Sequence, residues 1–568
     1  MDNIVYLIFR RMRRPLITLL MVYSVSVLGL VLIPGQDAAG NPAQMSFFHA
    51  FYFVSYMSTT IGFGEIPHEF TNAQRLWVTF AMYAGVIAWL YAIGTILSLV
   101  QDRTFQLALA ESKLARHIRQ QREPFYIVCG YGETGSALVR GLTEANQHVV
   151  VIEIDEFRSN MIMLDNLRLY VPSLHGDARK PVHLQDAGLQ SPYCRAVVAV
   201  TNDNEANLKI AITSKLLHPH IRVICRADSH DVEKNMASFG TDYIIDPFDT
   251  FALYLAVSFQ LPCLYLLQAW LYSGENLELE DPIYPPRDRH WVICGYGRFG
   301  KAVYHRLRQE GLEVVVIEAE PDNTGIPPEG VVQGRGTEAD TLIEAGIERA
   351  CGLIAGTDND ANNLSIVVTA RELNDDLFFI VRQNHSDNSA IIDAVKADIV
   401  MHPSRIIADK IRVLLNAPLL YQFVSLAYQQ DNDWACELAS RISAIVGERT
   451  PVIEQVCIDD NRSRAVTRVL ARGESVKLGC VILDSWDRKT QLNCIVLLME
   501  RNNERILLPA EDTELRVGDH LLICGESSAF TRLFWNLQHD NILGYVRTGR
   551  ITQHGWLWRK LMGGKSSR

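Results

Sequence analysis

The sequence predicts an α-helical membrane domain followed by α/β units of the doubly wound type and a small α+β lobe. Two apolar stretches near the N-terminus are long enough to cross a bilayer, and a shorter aromatic stretch lies between them. Further along the chain, a motif of an apolar strand, a glycine-rich turn and a helix occurs twice. Strands that alternate with helices in this way are typical of parallel sheets.

Composition sets the first limits on function. The 568 residues are enough for several domains, and the net charge of −11 argues against nucleic acid as a partner. The eleven cysteines include no CxxC pair. This spacing favours reduced cytosolic thiols over a disulfide framework or a zinc site.

Residues 16–33 and 76–100 contain no charged side chain, and each stretch is long enough to cross the hydrocarbon core as a helix. Arginines cluster before the first stretch and basic residues follow the second, whereas Arg75 is the only lysine or arginine between them. The positive-inside rule therefore predicts a multi-pass protein of the plasma (bacterial inner) membrane with both termini in the cytoplasm. The arginines and the length of the apolar stretch argue against a cleaved signal peptide.

The loop between the spans contains an apolar, aromatic stretch at 47–57 that is too short to cross the membrane. We predict a re-entrant half-helix there, followed by a non-helical strip, TTIGFGE, at residues 59–65. Such backbone is tolerated at membrane depth only where protein or an aqueous path surrounds it. The strip resembles the selectivity filter of potassium channels, usually written TVGYG. The resemblance assigns the filter to Thr60, Ile61, Gly62, Phe63 and Gly64.

The resemblance also implies that backbone oxygens of the strip replace the water shell of K⁺. The ion-binding groups would be the carbonyls of Thr60, Ile61, Gly62 and Phe63, with the Thr60 hydroxyl. One strip cannot surround an ion, so the chain is predicted to form a homotetramer. Because Phe63 lacks the hydroxyl of the usual tyrosine, we expect a different brace behind the filter. The alternative is an ordinary glycine-containing turn between two helices.

Glycines in the second span are candidates for a hinge or for close helix packing, since glycine weakens a helix and lets neighbours approach. Gly85 lies near the hinge position that the resemblance implies, and Gly94 is a second candidate. Leu97 belongs to an apolar row at helical spacing that either lines an inner cavity or faces lipid and other helices. In the first case, a ring of Leu97 side chains would form a hydrophobic gate.

Two GxGxxG motifs mark the soluble part, and in each copy a later strand ends in a glutamate 18 residues beyond the third glycine. Such glycines let backbone N–H groups approach a phosphate, and the carboxylate accepts hydrogen bonds from ribose hydroxyls. The predicted nucleotide-binding residues are Gly130, Gly132, Gly135 and Glu153 in the first copy and Gly295, Gly297, Gly300 and Glu318 in the second. The motifs predict two Rossmann units. Nucleotide binding by both copies stays open, because a degenerate site can persist as a scaffold.

The repeat extends to the ends of later strands, where ligands of parallel sheets usually bind. Asp177, Thr201 and Thr357 lie at such ends and join the predicted site. Arg298 lies inside the second glycine turn and would add a phosphate contact. Glu133 holds the same position in the first copy and would repel phosphate. The two copies are therefore expected to differ in ligand, or only one of them binds.

The ligand class follows from the two glutamates at the strand ends. Glu153 and Glu318 favour an unphosphorylated ribose, and hence NAD, ADP or another adenine nucleotide over NADP. Carboxylates near the sites also make Ca²⁺ a further candidate. Those carboxylates are Asp177, Asp203, Asp358 and Asp360.

Residues 251–272 are uncharged and could be mistaken for a third membrane span. Their counterpart in the second copy, at 406–428, contains Asp409, Lys410 and Arg412, which would be costly inside a bilayer. A proline interrupts both segments near the middle. We therefore predict two helix–turn–helix hairpins buried at a domain–domain interface.

The tandem repeat resembles the regulator-of-K⁺-conductance (RCK) domains, or TrkA-N and TrkA-C domains, of bacterial two-transmembrane potassium channels. The match is to the GsuK-like multi-ligand-gated type with two such domains per subunit. It implies an eight-membered cytoplasmic gating ring. The predicted domains are a transmembrane pore at 1–100, a linker at 101–123, RCK domains at 124–288 and 289–428, a C-terminal lobe at 429–540 and a basic tail at 541–568.

The predicted function is passive, selective K⁺ conduction through a tetrameric pore in the lipid bilayer, gated by nucleotide ligands. No catalytic His/Arg or Tyr/Lys pair accompanies the glycine motifs, so we do not expect an enzyme. The alternatives are a nucleotide-regulated component of a potassium transporter, a membrane-tethered nucleotide sensor and a membrane-anchored NAD-dependent enzyme. Transporters need several pore repeats in one chain, and an enzyme would leave the filter strip unexplained. Single-channel recording would discriminate a nonconducting sensor from a channel.

Overall fold

The computed structural model describes residues 2–36, 41–65, 69–102, 120–228, 230–272, 281–447 and 449–550, with residues 105, 106, 109, 116, 118 and 279 between these ranges. The chain divides into two compact units, Met1–Gln121 and Arg122–Arg568. The first unit contains the predicted membrane domain, and the second contains both α/β repeats and the C-terminal lobe. Much of the predicted linker at 101–123 and of the basic tail lies outside the described residues.

The membrane domain is built on the helices Asp2–Leu32, Phe47–Ser58 and Asn72–Gln101, with a short strand pair, Gly35–Gln36 and Pro42–Ala43. Two of these helices are long and apolar enough to cross a membrane. They are the first helix, over Ile8–Leu32, and the third helix, over its whole length. The helix between them has 12 residues, too few to span. The order of span, half-helix, strip and span therefore agrees with the predicted fold.

The two long helices pack closely at Gly29. A methyl group added there would lie 2.0 Å from the Trp77 indole, whose Nε1 donates a hydrogen bond to the Ser26 carbonyl oxygen at 3.1 Å. Near the other ends of these helices, Arg11 and Asp102 form an ion pair with an N–O distance of 2.7 Å. The start of the first helix and the end of the third therefore lie on the same side of the domain, as the positive-inside prediction requires.

The first α/β repeat forms a six-stranded parallel sheet. Its strands are Phe125–Cys129, His148–Glu153, Ser173–His175, Cys194–Ala199, Arg222–Arg226 and Tyr243–Ile245. Its helices are Glu133–Glu144, Glu156–Met161, Pro181–Asp186, Asn204–Leu217 and His230–Ser238. In space the third strand comes first, followed by the second, first, fourth, fifth and sixth, which is the Rossmann order.

The second repeat has a parallel sheet with the same strand order. Its strands are Trp291–Cys294, Val314–Glu318, Val332–Gln333, Gly352–Ala355, Phe378–Arg382 and Ile399–Met401. Its α-helices are Arg298–Gln309, Pro321–Thr324, Ala339–Glu344, Asp360–Leu373 and Ser389–Ala394, with 3₁₀ turns at Ile347–Arg349 and Ser386–Asn388. Both predicted Rossmann units are therefore present.

The C-terminal lobe is α+β, as predicted. An antiparallel sheet of Val452–Cys457, Cys494–Arg501, Glu504–Leu507 and His520–Gly525 packs with the helices Asn432–Val446, Arg464–Ala471, Leu478–Val481, Ser527–Gln538 and Asp540–Thr548. Leu543 and Val546 of the last helix are buried in the core of the lobe. The predicted boundary between lobe and tail at residue 541 is therefore too early, because apolar burial keeps this helix in the lobe.

The predicted hairpins are the helix pairs Pro247–Gln260 with Pro262–Tyr272, and Pro403–Asn416 with Pro418–Ala427. Each hairpin contributes its first helix to the core of the other repeat. Phe251 and Leu255 pack with Trp291 and Phe299 of the second repeat. Ile411 of the second hairpin packs into the core of the first repeat.

Lys410 shows that the second hairpin is buried, as predicted. Its Nζ donates a hydrogen bond to the Thr250 hydroxyl of the first hairpin at 3.2 Å. Burial lowers the pKa of Lys410, because the charged ammonium loses water. A charged side chain in this position belongs to an interface between protein elements and not to a lipid-facing span.

The expectation of reduced thiols throughout is wrong for one cysteine pair. Cys263 of the first hairpin and Cys436 of the C-terminal lobe form a disulfide across a sequence separation of 173 residues, with Cα atoms 5.1 Å apart. The pair lies within an apolar cluster formed by the hairpins and the lobe. Cysteine spacing could not predict this bond, because tertiary packing alone brings the two residues together.

Candidate functional site

The filter strip adopts an alternating backbone. Thr60, Gly62 and Gly64 have φ angles of 62°, 63° and 77°, whereas Ile61 and Phe63 are not among the residues with positive φ. In an extended strand successive carbonyls point to opposite sides, but alternation between left- and right-handed conformations turns them toward one side. Glycine adopts positive φ without strain, which explains the two glycines of the strip. An alternation of this kind is the backbone pattern that an aligned row of oxygens needs, and the filter assignment stays a prediction.

Two tyrosines of the half-helix brace the end of the strip. The Tyr56 hydroxyl donates a hydrogen bond to the Glu65 backbone oxygen at 2.6 Å, and the Tyr52 hydroxyl donates to the Glu65 carboxylate at 3.1 Å. The Tyr56 ring also contacts the Phe63 ring edge to face at a centroid distance of 6.0 Å. Both hydroxyls act on Glu65, next to the strip, and not on Phe63. Sequence analysis missed both tyrosines, although their spacing of four residues places them on one helix face.

The two predicted hinge glycines have different surroundings. A methyl group added at Gly85 would lie 2.6 Å from the Ser58 hydroxyl at the end of the half-helix, whereas one added at Gly94 would meet nothing within 4 Å. Gly85 therefore lets the third helix approach the half-helix that carries the filter. This contact supports the packing interpretation for Gly85 and leaves Gly94 as the hinge candidate.

We expect Gly85→Ala to reduce K⁺ flux strongly relative to the wild type. Alanine at 85 must displace Ser58, and overpacking of this kind costs about 1–3 kcal/mol. The measurement is ⁸⁶Rb⁺ uptake into liposomes at matched amounts of folded protein. Wild-type flux through Gly85→Ala would contradict the packing role of Gly85.

Leu97 lies on an uncovered face of the third helix. Its side chain is 57% exposed in the single chain, and Leu90 and Ile93 on the same helix are 64% and 53% exposed. A helix face that lines a cavity in a tetramer is solvent-exposed in a single chain, so this exposure is compatible with a gate at Leu97. The gate at Leu97 stays a prediction.

The first Rossmann unit has an open cleft of about 360 Å³ at the carboxyl edge of its sheet. The structure brings together in this cleft most residues predicted for the first copy. They are Gly130, Gly132, Glu153, Asp177 and Thr201. An edge position of this kind is where doubly wound sheets bind ligands.

The glycines of the turn have separate roles. A methyl group at Gly135 would lie 2.0 Å from the Gly130 carbonyl oxygen, and one at Gly300 would lie 1.9 Å from the Gly295 carbonyl oxygen. The third glycine of each copy therefore lets the helix pack on the turn. Gly132 faces the cleft instead, with only Arg158 within 4 Å of an added methyl group.

The predicted ribose-binding carboxylates are buried, and each accepts hydrogen bonds from backbone N–H groups of its glycine turn and of the residues after its strand. Glu153 accepts hydrogen bonds from the backbone N–H groups of Tyr131 and Asp155. Glu318 accepts the equivalent bonds from Tyr296 and Glu320. Because each carboxylate oxygen has two lone pairs, both glutamates can still accept a ribose hydroxyl.

Thr201 and Thr357 occupy equivalent places in the two units. The backbone N–H of Thr201 donates to Asn207 Oδ1 at 3.1 Å, and that of Thr357 donates to Asn363 Oδ1 at 2.9 Å. The threonine hydroxyls make further bonds to the same amides. The asparagines thus fix the loops that close each site.

Two arginines line the first cleft beside its carboxylates. Arg158 lines the cleft, and its Nη1 lies 3.8 Å from a methyl group built on Gly132, next to the phosphate-binding turn. Arg179 also lines the cleft and forms an ion pair with Asp177, whose pKa the hydrogen bond from Arg179 lowers. Sequence analysis missed Arg158, because a lone arginine in a short helix carries no motif.

Arg298 and Glu133 reach across to the opposite Rossmann unit. Arg298 Nη1 lies 2.8 Å from Asp228 Oδ2 of the first unit. Glu133 Oε2 accepts a hydrogen bond from the Ser386 hydroxyl of the second unit at 3.0 Å. The phosphate contact predicted for Arg298 and the repulsion predicted for Glu133 stay predictions, since both side chains are held by protein partners.

The carboxylates considered for Ca²⁺ serve mainly as local hydrogen-bond acceptors. Asp203 caps the helix Asn204–Leu217, and Asp360 accepts bonds from Asn384, His385 and Asn388. Among the described residues, no three His, Cys, Asp or Glu side chains lie close enough together to hold a metal ion. This part of the chain therefore gives no support to a Ca²⁺ site.

Family models match most of the domains described above. An ion channel model matches residues 16–102, the TrkA-N domain model matches 126–247 and 291–403, and the TrkA-C domain model matches 483–534. The matches agree with the membrane domain, the two Rossmann units and part of the C-terminal lobe.

Several curated relatives are named as potassium channels or potassium uptake proteins and not as enzymes. The chain is 25% identical over 202 residues to Potassium channel protein 1 of Methanocaldococcus jannaschii, a match that covers 36% of this chain and 59% of the relative. It is 30% identical over 162 residues to a Trk system potassium uptake protein TrkA homolog of Methanothermobacter thermautotrophicus, covering 28% and 74%. The match to the voltage-gated potassium channel Kch of Escherichia coli, 28% identical, covers 21% and 30%. The chain thus spans less than two thirds of either channel relative.

Solved structures to which the chain is similar include one titled GsuK Channel, which is 16% identical with a TM-score of 0.49, and the match covers 96% of this chain and 100% of that chain. Another, titled GsuK channel bound to NAD, is 15% identical with a TM-score of 0.47 and covers 95% and 100%.

Proposed function

Because this chain belongs to the family of ion-channel proteins that carry TrkA-N and TrkA-C domains, we propose that it is a potassium-selective channel gated by nucleotides. The observation that supports the proposal is the alternation of positive φ at Thr60, Gly62 and Gly64, the backbone pattern that a row of aligned carbonyls would need. Family membership and the named relatives support potassium as the ion.

Conduction requires four copies of the chain around one axis. The carbonyls of Thr60 to Phe63 from each copy replace the water of K⁺, and the ion leaves because successive sites are similar. Tyr56 and Tyr52 keep the strip in place through Glu65. No covalent chemistry occurs, and K⁺ moves down its own gradient.

Gating starts in the first nucleotide cleft. Gly132 leaves room for a phosphate at the N-terminus of the helix Glu133–Glu144, Arg158 offers a positive charge beside it, and Glu153 offers an acceptor for ribose. These groups suit ADP or NAD. A ligand that prefers one arrangement of an octameric ring of Rossmann units would pull on the third helix through residues 101–123.

The proposed orientation puts the protein in the plasma membrane as a multi-pass protein with both termini in the cytoplasm. The ion pair between Arg11 and Asp102 supports a common side for the start of the first helix and the end of the third. The arginine cluster at the N-terminus supports the cytoplasm as that side.

A regulatory part of a potassium uptake system is the second candidate, because the TrkA homolog match covers most of that relative. Such a protein would bind nucleotide but conduct no ions by itself. The two candidates therefore differ in whether purified protein alone carries potassium.

The test is ion flux in liposomes that contain the purified full-length chain as their only protein. We expect K⁺ uptake that Na⁺ does not replace and that changes when ADP or NAD is added on the cytoplasmic side. Equal Na⁺ and K⁺ permeability would overturn selectivity. Absence of flux combined with nucleotide binding would favour the uptake-system candidate.

A further inference from the structure

A chain of polar contacts joins the second glycine turn to the wall of the first nucleotide cleft. Arg298 Nη1 lies 2.8 Å from Asp228 Oδ2, Arg226 Nε donates to Asp228 Oδ1 at 2.9 Å, and Arg226 Nη1 donates to Asn202 Oδ1 at 2.8 Å. Asn202 lines the first cleft. We propose that this chain couples the two nucleotide sites, and that Arg298 exchanges between Asp228 and a phosphate of the second-site ligand. The inference rests on the proposed nucleotide binding.

Arg298 is placed for such an exchange. It is the first residue of the helix Arg298–Gln309 and directly follows Gly297, where the helix N-terminus attracts a phosphate. The side chain is 63% exposed, so it can turn without leaving a cavity. Its other described contact is a stacking position 5.1 Å above the Phe248 ring.

Moving Arg298 away from Asp228 costs free energy, because Asp228 is a buried carboxylate that then loses one of its two arginine partners. Its side chain is 5% exposed, and that of Arg226 is 15% exposed, so water screens this pair weakly. When a phosphate draws Arg298 away, the buried carboxylate keeps Arg226 as its single arginine partner. The ligand of the second site thus competes with Asp228, and Arg226 must compensate.

The first cleft is tied to Arg226 by backbone as well as side chain. Asn207 Nδ2 donates to the Arg226 carbonyl oxygen at 3.0 Å, and the same amide group accepts the backbone N–H of Thr201 at 3.1 Å. A shift of Arg226 therefore moves both Asn202 and Thr201, two neighbours in the wall of the first cleft. The Arg298 side chain has two arrangements, one on Asp228 and one on the ligand phosphate. Ligands at both sites shift the balance between these arrangements.

A second contact crosses between the units at the equivalent place, but it is exposed. Glu133 at the first turn meets Ser386 and His385 of the second unit, and the side chains of Glu133 and His385 are 38% and 65% exposed. Exposed contacts of this kind contribute little free energy. Glu133→Gln is therefore the matched control for Asp228→Asn.

The first measurement is ADP binding to the full-length chain by calorimetry, with the first site disabled by Gly132→Ala. We expect Asp228→Asn in this background to tighten ADP binding at the second site about five-fold or more, because Arg298 is freed. A role in stability alone would weaken binding or leave it unchanged, and either result would overturn the exchange. A matching melting temperature shows that the variant is folded.

The second measurement compares the ADP affinity of the first site with the second site intact and with it disabled by Gly297→Ala. We expect these affinities to differ about five-fold or more, to become equal in Asp228→Asn and to stay different in Glu133→Gln. Arg226→Gln should also make them equal without tightening the second site. Independent sites, or binding at one site only, in the wild type would overturn the coupling. Absence of ADP binding at both sites would instead refute the proposed nucleotide regulation, and the inference with it.

Discussion

Replacing Gly132 with alanine is expected to remove most ADP binding from the first cleft while the melting temperature of the full-length protein stays unchanged. An added methyl group has open space on the protein side, with the nearest atom, Arg158 Nη1, 3.8 Å away. The same methyl group would hold a phosphate away from the backbone N–H groups of the turn. Hydrogen bonds to a charged group contribute about 1.5–3 kcal/mol each, so loss of one predicts a decrease in affinity of about 10- to 100-fold.

Gly135→Ala is the matched comparison, three residues along the same turn. Its methyl group would lie 2.0 Å from the Gly130 carbonyl oxygen, so the helix and the strand must move apart. We expect a lower melting temperature, with a stability loss near the upper end of the roughly 1–3 kcal/mol that overpacking costs. If Gly132→Ala bound ADP as tightly as the wild type, the phosphate would not lie at this turn.

Removing the Tyr56 hydroxyl is expected to cause a large loss of K⁺ flux and of selectivity over Na⁺. In Tyr56→Phe the backbone oxygen of Glu65 loses the donor that holds it at 2.6 Å. A hydrogen bond of this kind contributes about 1 kcal/mol, and four copies in the proposed tetramer lose one each. The filter should then collapse or widen for most of the time, with flux reduced about 10-fold or more.

The measurement is the ratio of K⁺ to Na⁺ flux in liposomes, at equal amounts of tetramer. Tyr284→Phe serves as the control, because it removes a hydroxyl from a ring that is 64% exposed in the second unit, outside the membrane domain. Tyr52→Phe should have a smaller effect, since its bond to the Glu65 side chain is longer, at 3.1 Å. Wild-type selectivity in Tyr56→Phe would show that the tyrosine is not needed as a brace.

Features that depend on neighbours in sequence could be predicted well. The spans, the half-helix and the two glycine turns each follow from a run of apolar residues or from a short motif, and each lies where it was expected. Repetition helped most, because the charged residues of the second hairpin revealed that the uncharged first hairpin is not a span. Glu153 and Glu318 could be found for the same reason, since their distance from the glycines is equal in both copies.

Features that depend on tertiary packing could not be predicted. Tyr52 and Tyr56 act on Glu65 through a turn whose shape no spacing reveals. Arg158 enters the first cleft from a short helix without a motif, and Cys263 meets Cys436 only because the hairpin packs on the lobe. Arg298 was assigned to phosphate by its position, but the partner that holds it, Asp228, lies 70 residues earlier in the chain.

The exchange of hairpin helices between the two repeats has a consequence for how the protein assembles. Each sheet completes its hydrophobic core only with a helix encoded by the other half of the gene, so neither half holds all the parts of its own interior. We therefore expect the first half to become resistant to proteases only after the second half has been synthesised. A chain with only one such repeat could bury the same surfaces only by exchanging that helix with a second molecule. Duplication of the repeat within one gene makes this packing intramolecular.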